Sequence, residues 1–175
     1  MSGLRLVAFG TRHLDDVARL VSDAETIRHT RIPQPAPPGF AAEWLARYDD
    51  ARRQGTREAF AIEDEAGVFL GLALAPEIER RARTIELGYM VVPEARGRGV
   101  ASEALRQLTT WAFGEGAERL ELVITPENVA SQRVAERCGY VRESDELWAR
   151  TTSGVSSSSD PRTTSASSRA SGTGG

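Results

Sequence analysis

The stretch Glu86-Leu-Gly-Tyr-Met-Val-Val-Pro-Glu-Ala-Arg-Gly-Arg-Gly-Val-Ala-Ser102 runs an apolar strand into a compact arginine/glycine turn that opens directly into a helix. Gly97 and Gly99 let the turn take backbone conformations closed to residues with a Cβ. Successive N–H groups can then converge on one oxyanion at the positive end of the helix that starts near Val100. A phosphate or pyrophosphate is the natural guest of such a turn.

Two commoner phosphate motifs do not fit. A P-loop requires Gly-Lys-Ser/Thr, and all 22 residues counted as Lys and Arg are arginine. A dinucleotide fingerprint needs a third small residue after G-x-G-x-x, an early position in a βαβ unit and a downstream acidic clamp. Gly97-x-Gly99-x-x-Ser102 lies past the middle of the chain without that clamp.

Outward from the turn, Leu4 to Phe9 reads as a first strand, and Thr11 as the cap of a helix carrying Leu14, Val17, Ala18 and Val21 on one face. Residues 23–39, with Pro33, Pro35, Pro37 and Pro38, are expected to be irregular. Phe40, Trp44, Leu45, Tyr48 and Ala51 predict a second helix ending near Gly55. Strands are expected over Ala59–Ile62, Val68–Ala75 and Thr84–Val92 as an antiparallel meander. Ala101, Ala104, Leu105, Leu108, Trp111 and Ala112 keep a helical period up to Gly114-Glu115-Gly116. A strand at Leu120–Ile124, a helix striped by Ala130, Val134, Ala135 and Cys138, and a sixth strand from Tyr140 to about Trp148 complete the pattern. Strand, phosphate helix and next strand form one parallel crossover.

Arg96-Gly97-Arg98-Gly99-Val100-Ala101 fits the Arg/Gln-x-x-Gly-x-Gly/Ala signature of the GNAT acyltransferases. With the preceding Glu86-Leu-Gly-Tyr, the later Asn128-Val-Ala-Ser131 and Glu136-Arg-Cys-Gly-Tyr140, the chain resembles the branch containing ribosomal-protein N-terminal acetyltransferases, over residues 4 to 147. The resemblance implies a mixed α/β (α+β) fold with a central sheet of about six strands, a splayed central pair and about four flanking helices. It also implies a turn gripping the pyrophosphate of coenzyme A, and acceptor-side cover from the first two helices and their connection. From Thr151 the chain turns to Ser, Thr and Gly. The expectation is a domain over 1–150, a disordered tail over 151–175 and the family's usual last strand missing.

Acetyl transfer to an amine calls for removal of a proton from a nucleophile of pKa about 8 to 10.4, and for a donor to a thiolate of intrinsic pKa near about 8.5. The resemblance points to Glu86 as base, reaching the amine through water, on one strand face with Gly88 and Met90. Many relatives carry an acidic tyrosine where this chain has Ala135, and Ser131 is the hydroxyl offered in its place. The pantetheine arm is expected along the backbone of Met90, Val91 and Val92, with a bulge there splaying the strands. Asn128 is expected on its other side. Phosphates fall to Arg96, Gly97, Arg98, Gly99, Val100, Ala101 and Ser102, with Arg133 a further possibility. Cys138 and Tyr140 read as core.

A chain of 175 residues suits one domain. Its net charge of −3 argues against a binder of nucleic acid. One cysteine and two histidines, His13 and His29, lack the clustering of a metal site. Without a basic-then-apolar leader or a long apolar run, the expectation is a cytoplasmic protein, off the membrane, acting as monomer or homodimer. The reading is therefore an N-acetyltransferase using acetyl-CoA, without metal, on a protein N-terminus or small-molecule amine. The alternative is a non-catalytic or degenerate acyl-CoA-binding module, made credible by the missing strand.

Overall fold

The computed structural model describes residues 3–152. Seven strands form one sheet: β1 (Leu4–Ala8), β2 (Glu58–Asp64), β3 (Phe69–Glu79), β4 (Thr84–Val91), β5 (Arg119–Val123), β6 (Val141–Arg142) and β7 (Leu147–Thr151), in the order β1-β2-β3-β4-β5-β7-β6. The helices are α1 (Leu14–Leu20), α2 (Ala24–Arg28), α3 (Phe40–Gln54), α4 (Val100–Gly114) and α5 (Val129–Arg137). The expected meander is present as antiparallel β2, β3 and β4, and β4–α4–β5 is the expected parallel crossover.

Strand alternation sorts β4 between two cores. Ile85, Leu87 and Val91 pack with Leu105, Leu108 and Leu120 under α4. Met90 joins Val17, Leu20, Leu45, Tyr48 and Leu72 beneath α1 and α3 on the opposite face. Leu105 and Leu108 are wholly buried, and removing such a side chain from water stabilises by about 1.5–3 kcal/mol.

Several expectations require correction. The last strand is not missing: Leu147–Thr151 pairs antiparallel along the whole of β5, from Arg119↔Thr151 to Val123↔Leu147. The single sixth strand expected over residues 140–148 is instead a hairpin, in which two-residue β6 forms the sheet edge and β7 inserts between it and β5. Exposed, polar residues 143–146 make the turn, a pattern the short apolar content of this segment disguised. Residues 23–39 are not wholly irregular, because Asp23 caps the short α2 by accepting from the Thr26 N–H at 2.8 Å. Thr151 thus closes a strand, and the Thr152 N–H bonds the Glu118 carbonyl at 3.1 Å. The disorder expected for the rest of the tail lies outside the described residues.

The sheet opens at its centre. Parallel pairing of β4 with β5 covers only Thr84↔Arg119, Ile85↔Leu120 and Glu86↔Glu121, so β4 beyond Glu86 has β3 as its sole strand neighbour. The associated bulge lies on β3, between Leu74 and Glu77, rather than at Met90–Val92 as expected. Gly71 holds β3 against the freed part of β4: at φ 153°, a Cβ there would sit 2.0 Å from the Met90 carbonyl oxygen. Gly71→Ala is expected to cost about 3 kcal/mol or more in urea unfolding, since backbone must move. Gly67→Ala, at φ 81° in open space, should cost only about 1 kcal/mol.

Candidate active site

Two cavities flank the opening. One, of about 600 Å³, is lined by Arg28–Pro33, by Phe40, Trp44, Arg47 and Tyr48 of α3, by Glu77 and Glu86, and by residues 122–125. The other, of about 430 Å³, runs from Tyr89, Met90 and Val91 over Arg96, Gly97 and Gly99 to Val100, Ala101 and Ser102. They share His29, Thr30, Tyr89, Met90, Asn128 and Ser131, so these residues form the junction where the two spaces meet.

The turn at the outer end of the second cavity has the expected backbone. Gly97 and Gly99 stand at φ 71° and 82°, and Gly99 begins α4 with no side-chain cap. The first N–H groups of α4 therefore have no partner within the helix. The hydroxyl of Ser102 in this first turn is buried without a hydrogen-bond partner and borders the same cavity. A buried hydroxyl left unpaired is costly, and together with the free N–H groups it fits a bound phosphate.

The arginines divide differently from expectation. Arg96 is committed to the protein: its Nε donates to the Val91 carbonyl at 3.1 Å, and its Nη2 to Asp23 Oδ2 at 2.5 Å and Thr26 Oγ1 at 2.9 Å. It fastens the turn to β4 and α2, and it holds the Asp23 carboxyl below the usual carboxylate range. The tie is thus present through neutral pH and is lost as pH falls through that lowered value. Arg98 is exposed and does not line the cavity, whereas Arg133 and Arg137 of α5 do.

At the junction, Asn128 caps α5, its Oδ1 accepting the Ser131 N–H at 3.1 Å. Its amide nitrogen is the group left for a ligand. Tyr89 is a residue the sequence reading passed over. Its hydroxyl is buried and makes no well-aligned hydrogen bond. The neighbouring Ser131 hydroxyl favours ionisation, but burial outweighs it and pushes the phenol up to about 12. Tyr89 therefore stays protonated at neutral pH, a donor facing the junction. Strand alternation puts it on the face opposite Glu86, and only the three-dimensional arrangement reveals the unpaired hydroxyl.

Glu86 lies in the first cavity on the face it shares with Gly88 and Met90, as expected. Burial raises its carboxyl above the ordinary value; Arg31, at 3.9 Å, opposes the shift, and Glu77 and Glu121 add to it. Cys138 and Tyr140 are core: the thiol is buried and raised by burial, and the Tyr140 hydroxyl lies 2.7 Å from Thr109 Oγ1. Among the described residues there is no cluster of His, Cys, Asp and Glu that could hold a metal ion, and no helix long and apolar enough to cross a membrane.

Residues 3–141 match the family profile of the acetyltransferase (GNAT) domain. The chain belongs to the GNAT family. YdaF of Bacillus subtilis (strain 168), named as a ribosomal N-acetyltransferase, is 30% identical over 123 residues, 70% of this chain; the match spans only 60% of YdaF. Among solved GNAT folds, RimL, the ribosomal L7/L12 alpha-N-protein acetyltransferase in complex with coenzyme A, superposes with TM-score 0.79 at 20% identity, covering 86% of this chain and 95% of its own. Spermidine N-acetyltransferase from Vibrio cholerae, in complex with CoA and spermine, superposes with TM-score 0.73 at 19% identity, covering 83% and 92%.

Ser102→Ala should leave the melting temperature of the free protein unchanged or slightly raised, because it removes an unpaired buried hydroxyl. It should weaken coenzyme A binding roughly 10-fold or more in calorimetry, the worth of one hydrogen bond to a charged group.

Proposed function

We propose that this protein is an N-acetyltransferase that moves the acetyl group of acetyl-CoA to a primary amine, of a protein N-terminus or a small molecule, by direct attack of the amine. The observation that carries the reading is the meeting of the two cavities at Tyr89, Met90, Asn128 and Ser131, between a helix start suited to phosphates and the carboxylate of Glu86. The names of YdaF, RimL and the Vibrio cholerae enzyme support an amine acceptor.

Acetyl-CoA supplies the thioester, and the chain supplies position and protons. Backbone N–H groups of residues 97–102 and the Ser102 hydroxyl hold the pyrophosphate, with Arg133 and Arg137 adding positive charge; Arg96 acts by fixing the turn. The backbone of Met90, Val91 and Val92, at the edge that β5 leaves, binds the pantetheine arm as a strand edge binds a peptide, through groups other than the Val91 carbonyl, which Arg96 holds, and the Val92 N–H, which bonds the Leu70 carbonyl; the Asn128 amide reaches the arm from α5. Glu86 takes the proton of the incoming ammonium, directly or through water, and its raised pKa makes it a better base than an ordinary carboxylate. Ser131 is the acid that meets the leaving thiolate, and Tyr89 steadies the same position as a hydrogen-bond donor. Holding amine and thioester in line provides much of the remaining rate.

A cytoplasmic place of action belongs to the same proposal, consistent with a lone cysteine kept as a buried thiol. The alternative of a non-catalytic acyl-CoA-binding module drew on a missing last strand, and β7 removes that support.

Glu86→Gln should lower kcat by about 10²–10⁴-fold and abolish the acidic limb of the pH–rate profile. That limb should lie above the normal carboxylate range, since the base is ionised only above its raised pKa. Because the fold disfavours the ionised form, the variant should be as stable as the parent, or more so, at neutral pH. Ser131→Ala should slow turnover while sparing coenzyme affinity. A loss under about threefold in both variants, with the pH profile unchanged, would leave positioning alone as the source of rate.

A further inference from the structure

The acceptor cavity carries a charge pattern that acetyl transfer as such does not require. Its lining contains four arginines, Arg28, Arg31, Arg47 and Arg57, against two carboxylates, Glu77 and Glu86. The excess is local, because the chain as a whole has a net charge of −3.

Several arginines elsewhere are held by close carboxylates: Arg52 by Glu58 at 2.6 Å, Arg96 by Asp23 at 2.5 Å, Arg119 by Glu121 and Glu143 at 2.6 Å each. At the cavity they are not. Arg28 and Arg31 reach Glu25 and Glu86 only at 3.9 Å, with side chains 72% and 78% exposed. Among the described residues Arg47 and Arg57 have no ion-pair partner; Arg47 lies over the Phe40 ring at 5.8 Å. Arg47 and Arg57 both act on the Tyr48 phenol in the cavity wall, as does Glu86, so the three charges share one neighbourhood.

This arrangement gives the cavity two ends of opposite character. Glu86, half-buried on β4, suits an amine. The exposed guanidiniums, from the last residue of α2 and the segment after it on one side and from α3 and the residue before β2 on the other, suit an anion and would repel a polycation. Building on the acetyl-transfer reading, we propose that the acceptor is a primary amine that also carries carboxylate or phosphate groups, its nitrogen seated beside Glu86 and its anionic part held by Arg47 and Arg57, with Arg28 and Arg31 facing them.

The test compares matched acceptors with acetyl-CoA: the peptides Ala-Asp-Glu-Asp and Ala-Asn-Gln-Asn, phosphoethanolamine and ethanolamine, and spermidine. In at least one pair the anionic member should exceed its neutral partner by about tenfold or more in kcat/KM, with spermidine below both. The preferred pair tells a peptide source from a small molecule. The advantage should shrink as salt rises from about 50 to about 300 mM, as for exposed charges. Arg47→Gln combined with Arg57→Gln should bring the ratio toward one, and Arg28→Gln with Arg31→Gln should reduce it; melting temperatures verify that both variants are folded. The same amines titrated into protein saturated with CoA read charge preference without chemistry. Tighter, salt-sensitive binding of the anionic members without any acetyl transfer would sustain this inference and sink the catalytic reading. Equal or better binding and turnover of neutral amines or spermidine would overturn the inference and leave acetyl transfer standing.

Discussion

The parting of β4 from β5 after Glu86↔Glu121 is the constraint on which the remaining architecture depends. Three parallel pairs hold the strands together at one end, and beyond them the sheet has a wedge in which β4 keeps one strand neighbour. Backbone groups along that wedge need partners; the Arg96 side chain supplies one at the Val91 carbonyl, and the rest of the wedge borders the two cavities. The β3 bulge at Leu74–Glu77 and the close approach of Gly71 to Met90 keep β4 in place while its other flank is free.

Around the wedge the chain places polar groups that a purely structural sheet would avoid. Ser102 and Tyr89 have buried hydroxyls without partners, and Glu86 is a carboxylate whose burial disfavours its charge. Each costs stability in the free protein, and each faces a cavity. Two of the three buried side-chain polar atoms without a partner among the described residues lie here, the third being Trp148 Nε1 away from both cavities, and such a concentration is what a binding or catalytic site looks like energetically. The cores on the two sheet faces, one built on Leu105, Leu108 and Leu120, the other on Val17, Leu20 and Leu45, offset them.

Much of this was legible in the sequence, because the signals were local. Gly97 and Gly99 require positive φ, the apolar period from Ala101 to Ala112 marks α4, and alternation puts Glu86 and Met90 on one face. What escaped was non-local. Leu147–Thr151 is short and borders a Ser/Thr-rich segment, and its place between β5 and β6 follows from pairing across the sheet. Arg96 reads as a phosphate ligand until Asp23, 73 residues away in sequence, is seen to claim its guanidinium. Tyr89 has no assigned role in the sequence, because a hydroxyl without a partner has no sequence signature. The arginines of the first cavity likewise come from segments that only folding brings together.

The Arg96 tie has a thermodynamic consequence. Through Asp23 and Thr26 it joins the turn beneath one cavity to α2, whose last residue, Arg28, borders the other. Occupants of the two spaces thereby touch a common mechanical element, and any coupling it transmits is reciprocal: the factor by which the first occupant alters the affinity of the second equals the factor in the opposite direction. A fastener shared in this way gives cooperativity between the two spaces a basis in the scaffold itself, separate from any contact between their occupants.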